Sequence, residues 1–255
     1  KKSKLLLFIR GYEIRELVMK KRNAFFVFLV NKFSYLIIKK SDCIVNSNSL
    51  LDYLKFKYSK TDVKILKNNI LTSHLKSVRK DKKSFNIGYF GRLSPEKNIL
   101  QLLYSFIILQ KLGFKNLRLH IVGDGKQYKD VSKIIKLNNM SNQIITYGWK
   151  HNIKKVMEKI DLVVVNSKFE GCPNIILETL GFGVPCIGSD VPGIRDILRG
   201  EELLFSPKGI QDLSIKLIKI QSSNSFYNTI KLNCLESSKN YRFEWEKELS
   251  NLLNI

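Results

Sequence analysis

The 255-residue chain has no apolar run longer than the seven residues Ala24 to Val30, well short of the ~20 that a helix needs to span a bilayer. No membrane-crossing segment is expected. Its four cysteines, Cys43, Cys172, Cys186 and Cys234, are widely spaced with no C-x-x-C, which argues against a disulfide framework and a thiolate zinc site and points to a reducing cytoplasm. Only three histidines occur, His74, His120 and His151, and there is no Asp-x-Asp, so no divalent-metal site is in view. An initiator Met is lacking, and Lys1-Lys2-Ser3-Lys4 before Leu5 to Ile9 is too short for a signal peptide. The chain is therefore expected to begin inside a longer protein.

What is abundant is positive charge. The chain carries 44 Lys+Arg against 22 Asp+Glu. Residues 1–84 hold 21 of the cations and 6 of the acids, a net +15, leaving +7 for the rest. Such a field attracts phosphates, including anionic lipid head groups. The alternative is a compositional bias toward Lys, Asn and Ile with no specific partner.

From residue 85 onward short apolar runs, Gly-containing turns and helical periods alternate. Strands are expected at 85–90, 117–122, 143–147, 161–165, 185–188 and 202–205, with helices at 95–112, 127–137, 152–160, 173–181, 193–198 and 208–221. This alternation predicts an α/β architecture with a parallel sheet covered on both faces, whose ligands bind outside the carboxyl ends of the strands. Residues 1–80 repeat the pattern incompletely, with strands at 5–9, 43–45 and 63–66 and helices at 22–39 and 49–58. The stretch Ser73 to Ser84, charged and without apolar period, reads as a linker.

Three segments offer candidate chemistry. Gly91-Arg92-Leu93-Ser94-Pro95-Glu96-Lys97-Asn98 lies between a strand and a helix that Ser94 is expected to cap and Pro95 to open. Arg92 and Lys97 there suit a diphosphate, unless Arg92 is simply paired with Glu96. Val122-Gly123-Asp124-Gly125 is a tight turn whose Gly-x-Gly does not extend to a dinucleotide fingerprint, Tyr standing at 128. In Glu170-Gly171-Cys172-Pro173-Asn174-Ile175-Ile176-Leu177-Glu178, the amides of Gly171, Cys172 and Asn174 suit a hydroxylated or anionic ligand. Glu178 there either accepts from a diol or serves only as a carboxylate on the helix dipole. Gly181 to Pro185 and Asp190-Val191-Pro192-Gly193 read as scaffold, and His120, inside an apolar strand, as a satisfied core residue.

The order and spacing of Gly91-Arg92-Leu93, Glu96-Lys97-Asn98, Val122 to Gly125, Asp161 to Ser167, Glu170 to Glu178 and Gly183-Val184-Pro185 resemble the retaining, nucleotide-sugar-dependent glycosyltransferases of family 4. The resemblance is specific over residues 85–205 and weaker over Arg10 to Glu13 and Asp42 to Ser49. Tyr241 to Leu253 is similar to the family's last helix, which crosses back onto the first domain. The resemblance implies a GT-B fold, with a complete C-terminal Rossmann-like domain (81–240), a partial N-terminal Rossmann-like, acceptor-side domain (1–80), and a returning helix (241–255). About a hundred residues of the first domain are expected to be absent. It implies that Arg92 and Lys97 hold the donor diphosphate and that Glu178 holds the ribose hydroxyls. It further implies that Glu170 orients the transferred sugar and that Gly123, Gly171, Cys172, Asn174 and Ile175 complete the donor site.

The expected function is transfer of a sugar from a nucleotide-diphosphate donor to a glycan or lipid-linked acceptor, with retention, in cell-surface polysaccharide synthesis. No cofactor, metal or nucleic-acid partner is expected. Cations near the ends of the apolar helix at 22–39 suit peripheral contact with the anionic inner face of the cytoplasmic membrane. One rival is an inactive module that holds nucleotide or anionic lipid without turnover. Another is a nucleotide-sugar epimerase, which the scarcity of histidine disfavours.

Overall fold

Strand-forming runs rich in Val, Ile and Leu, bounded by polar turns, form two separate parallel sheets. A computed structural model describes residues 6–11, 24–71 and 84–253, and of 24–27 the backbone only. Most of the expected linker, the cluster Lys20-Lys21-Arg22, Leu5, Tyr12, Glu13 and His74 lie outside these residues.

The first sheet has the order β1-β2-β3, from β1 (Leu6–Ile9), β2 (Asp42–Val45) and β3 (Val63–Ile65). Among the described residues between β1 and β2 stands helix α1 (Ala24–Lys40), and α2 (Asn48–Tyr58) joins β2 to β3. Ser47 caps α2 by accepting from the Leu50 amide. Ile9, Ile38, Val45, Leu50, Leu54 and Tyr58 form a small buried core. On α1, Phe28, Phe33, Leu36 and Ile37 remain exposed.

The second sheet contains β4 (Phe85–Phe90), β5 (Leu117–Val122), β6 (Ile144–Thr146), β7 (Leu162–Val165), β8 (Cys186–Ser189) and β9 (Leu204–Phe205). Its order is β6-β5-β4-β7-β8-β9, parallel throughout. Strand order therefore reverses between β4 and β7, and the crevice at their carboxyl ends is where a doubly wound sheet takes its ligand. The connecting helices are α3 (Ile99–Lys111), α4 (Tyr128–Leu137), α5 (Lys154–Met157), α6 (Asn174–Gly181) and α7 (Pro192–Arg195). After β9 come α8 (Ile210–Ser222), α9 (Asn224–Lys239) and α10 (Trp245–Leu253). Residues 152–160 thus yield a single turn rather than a full helix, and the strand expected from 202 begins at Leu204 after a 3₁₀ turn at Glu201–Leu203.

Helix α9 is absent from the sequence reading because its Asn- and Ser-rich composition masks the apolar positions Ile230 and Cys234 that it buries. The signal was Ser223 three residues before Phe226, whose amide it caps at 3.2 Å. The helix is tied to the sheet through Cys234, whose thiol accepts from the Cys186 amide at 3.3 Å and donates to the Cys186 carbonyl at 3.2 Å. The β8–β9 ladder begins only at Gly188, so this side chain stands in for a missing strand partner. Cys234→Ala is expected to lower stability by about 1–3 kcal/mol by leaving buried backbone groups unpaired. Cys234→Ser should recover part of the loss; equal denaturation midpoints for wild type and the Ala variant would refute the role.

Helix α10 reaches the first sheet through Lys64, whose Nζ donates to the Leu252 carbonyl at 2.7 Å. Nearby, the Ile70 amide donates to the Tyr241 carbonyl at 2.8 Å and Asn69 Nδ2 to the Phe243 carbonyl at 3.2 Å. Ser49, on α2, donates its amide to Asp196, just after α7, at 2.8 Å.

Candidate active site

Two loops converge at the switch point, one after β4 and one after β7. The first departs from expectation in its local geometry. Pro95–Lys97 forms a 3₁₀ turn, Ser94 makes no capping bond through its side chain, and Asn98 takes a left-handed conformation at φ 51°. That conformation ends the turn, because a left-handed residue cannot continue a right-handed helix. The regular helix starts only at Ile99. Arg92 and Lys97 therefore stand on a loop and a short turn ahead of α3, not on its first turn.

The loop itself is held firmly. Tyr89 donates its hydroxyl to the Arg92 carbonyl at 2.8 Å, and the Leu93 amide donates to the Asp124 carbonyl at 2.9 Å. Gly123 has φ 144°, and a methyl there would stand 1.9 Å from the Gly91 carbonyl oxygen. Its amide donates to the Gly148 carbonyl at 2.8 Å. Gly123 therefore packs the loop after β5 against the Arg92 loop, with its own N–H engaged.

The second loop meets the first through charge. Lys97 Nζ pairs with Glu170 Oε1, and the Ser167 hydroxyl donates to that same oxygen at 2.8 Å. Ser189, at the end of β8, accepts from the Ser167 amide at 3.0 Å and donates to the Ser167 carbonyl at 2.5 Å. One side chain thus adds a further rung beyond the last β7–β8 pair, Val165 with Gly188, and aims Ser167 at Glu170. The Lys168 amide donates to the Glu96 carbonyl at 2.8 Å, and Asn166 Nδ2 to the Asn98 carbonyl at 2.9 Å. Arg92, with a side chain 64% exposed, lies 3.7 Å from Glu96, so the simple pairing weighed from the sequence is present in weak form.

Gly171 follows Glu170 with a purpose: a methyl there would stand 2.6 Å from the Arg10 carbonyl oxygen. The close approach that only glycine allows is made here to the segment after β1. Cys172 is half-buried, and desolvation, reinforced by the charges of Asp196 and Glu170, pushes its thiol up to about 12. It stays protonated and is no nucleophile. Pro173 occupies the position before α6, and Asn174 and Ile175 open the helix. Asn174 Oδ1 accepts from Asn68 Nδ2 at 2.5 Å, and the Ile175 side chain packs against the core.

Glu178, one turn further along α6, faces a cavity of about 580 Å³ whose walls also include Arg10, Asn68, His151, Asn174 and Trp245. Its carboxylate touches solvent inside this concavity, and desolvation by the surrounding walls raises its pKa above the ordinary value. Arg92, Lys97 and Glu170 are not among the residues lining this cavity. Sequence reasoning missed Ser167, Ser189 and Asn68, since a serine or asparagine carries no signal until its partner is known. Among the described residues no group of three His, Cys, Asp or Glu is placed to hold a metal ion.

Two parallel α/β units, the larger one with loops 91–98 and 166–173 joined by charge and hydrogen bonds at its switch point, define an architecture of the GT-B type. Residues 72–234 match the family model of the glycosyl transferases group 1, and the chain belongs to that family. It is 34% identical over 118 residues to lipopolysaccharide 1,6-galactosyltransferase of Escherichia coli K12, a match covering 44% of this chain and 32% of that protein. A Campylobacter jejuni relative is named N-acetylgalactosamine-N,N'-diacetylbacillosaminyl-diphospho-undecaprenol 4-alpha-N-acetylgalactosaminyltransferase. It is 29% identical over 222 residues, covering 83% of this chain and 56% of that one. The chain thus spans about a third to a half of these relatives. The crystal structure of Anabaena HepE, solved with UDP and glucose, superposes with a TM-score of 0.82 at 16% identity, over 99% of this chain and 72% of that one. That likeness establishes the GT-B fold.

Proposed function

We propose that the chain forms the donor-binding part of a retaining sugar transferase that uses a nucleoside diphosphate sugar and acts on a lipid-linked or glycan acceptor in cell-surface polysaccharide synthesis. The observation that carries this reading is the meeting of Lys97 and Glu170 at the β4–β7 switch point in a chain of the glycosyl transferases group 1. Breaking the bond between the sugar and the diphosphate leaves negative charge on the leaving phosphate. Arg92 and Lys97 are the cations assigned to receive it, in the role that a metal ion fills elsewhere. The names of the relatives, one of lipopolysaccharide and one of a diphospho-undecaprenol glycan, support the acceptor class. UDP bound to the HepE structure supports a uridine donor.

Glu178 is assigned to the ribose. Glu178→Gln is expected to weaken UDP binding about tenfold, the value of one or two charge-assisted hydrogen bonds. Binding by wild type should also weaken as pH falls, because the protonated carboxyl loses acceptor capacity, and the raised pKa moves that loss above the usual glutamate range. Isothermal titration of both proteins with UDP between pH 7 and 5 checks this. Equal affinity for the variant, or the same pH slope in both, rejects the ribose role. UDP-sugar binding with neither transfer nor donor hydrolysis would favour the inactive nucleotide-holding module.

With an acceptor of that class, the protein is assigned to the inner face of the cytoplasmic membrane. Exposed Phe28, Phe33, Leu36 and Ile37 on α1, with Lys39 and Lys40 in its last turn, supply the contact. Among the described residues no helix is long and apolar enough to cross a membrane. Sedimentation with vesicles of rising anionic lipid content should show binding that grows with anionic fraction and falls in high salt. Binding indifferent to both would leave only the lysine-rich composition.

A further inference from the structure

The cations assigned to the diphosphate are already neutralised in the resting chain. Arg92 faces Glu96 and Lys97 is bonded to Glu170, so these four side chains sum to zero formal charge where a doubly charged group must bind. The two pairs differ in kind. Arg92 and Glu96 stand 3.7 Å apart with the arginine 64% exposed, a contact of little energy that solvent and ligand replace readily. The lysine and glutamate side chains are only 30% and 12% exposed, and the carboxylate has a second anchor in the Ser167 hydroxyl at 2.8 Å. Ser167 is itself fully buried and gripped at both its amide and its carbonyl by Ser189. Of the two partners, Glu170 is fixed by the sheet end, while Lys97 stands on a short turn at the end of a flexible four-carbon stem.

We propose that Glu170 is a competitor for Lys97, an internal stand-in that the donor diphosphate must displace, so that Glu170 becomes free to meet the sugar only after the phosphates have taken the lysine. The inference rests on the assignment of Lys97 to the diphosphate. It adds a consequence which that assignment lacks: a carboxylate at the donor site weakens binding of the part of the donor it does not touch. Removal of that charge leaves Lys97 unpaired and the cluster at net +1. A unit charge about 5 Å from a phosphate, even in a water-like dielectric, changes affinity by at least about threefold.

Inorganic pyrophosphate and UDP are the probes, titrated calorimetrically into wild type, Glu170→Gln, Lys97→Ala and the double variant. Glu170→Gln is expected to bind both probes at least about threefold more tightly than wild type, and Lys97→Ala more weakly. The double variant should be no tighter than Lys97→Ala, because the gain acts through the lysine. If Lys97→Ala weakens binding while Glu170→Gln binds no better than wild type, the competition is overturned and the diphosphate assignment stands. If Lys97→Ala binds as wild type does, the assignment itself fails. Failure of all four proteins to bind either probe also overturns the inference, which requires a gain in Glu170→Gln. Should Glu170→Gln fold poorly by thermal melting, Glu170→Asp, which withdraws the charge by one methylene, carries the same expectation of tighter binding.

Discussion

Lys97→Ala and Arg92→Ala are each expected to lower the rate of sugar transfer at saturating donor by roughly 10- to 150-fold, equivalent to about 1.5–3 kcal/mol of lost interaction with the charged leaving group. The physical reason is timing. Charge on the leaving phosphate grows as the bond to the sugar breaks, so a cation beside it gains more in the transition state than in the bound donor. The rate should therefore fall further than donor affinity does. Lys97 approaches from a partly buried turn at the switch point and Arg92 from the exposed rim of the same loop, so neither substitutes for the other. Addition of a chelator is expected to leave wild-type transfer in place. The measurement is kcat and KM for the donor in each variant, with and without chelator. Unchanged turnover in both variants would remove the diphosphate assignment, and loss of activity in chelator that magnesium or manganese restores would show that a metal carries the charge.

A second large effect is expected in stability, from a buried network inside the larger sheet. His120 lies in β5, buried, with Nδ1 2.9 Å from the Tyr147 hydroxyl and Nε2 3.0 Å from Asn86 Oδ1. Asn86 donates from Nδ2 and from its backbone amide to Asp161 Oδ2 at 3.4 and 2.9 Å. Its Oδ1 is therefore the acceptor, which places the proton on His120 Nε2 and leaves Nδ1 to accept from Tyr147. The ring is neutral. Burial, reinforced by Lys159 and Arg118, pushes its pKa down to about 4 from an ordinary 6.5.

Between those two values the unfolded chain binds a proton that the folded chain refuses. The stabilisation is complete above about pH 6.5 and is lost as pH falls toward 4, a change of about 3 kcal/mol. His120→Gln retains a donor and an acceptor but cannot titrate. It should be less stable than wild type at pH 7, yet lose less between pH 6.5 and 4 in urea or thermal unfolding. Parallel acid profiles for the two proteins would show that other groups govern the acid limb. None of His120, Tyr147, Asn86 and Asp161 belongs to loops 91–98 or 166–173, so UDP binding at pH 7 should survive the substitution.

The sequence by itself determined the type of nearly every element after residue 85, because apolar runs of four to six residues and 3.6-residue periods are local patterns that a strand or helix must satisfy. It also singled out the two loops that the fold brings together at the switch point. A cation such as Lys97, a carboxylate such as Glu170 and a close-packing glycine such as Gly171 announce themselves by residue type and by their place between a strand and a helix. Tertiary structure alone decided what those residues do to one another. Lys97 and Glu170 are 73 positions apart, and nothing local specifies that they pair. The pairing follows from β4 lying beside β7, a neighbour relation set by how the crossover helices pack on the sheet. The break at Asn98, the grip of Ser189 on Ser167, the approach of Arg10 to Gly171 and the docking of α9 through Cys234 belong to the same class. Each depends on a partner distant in the chain or on a backbone angle that many residues can adopt, and so is decided only when the whole fold closes.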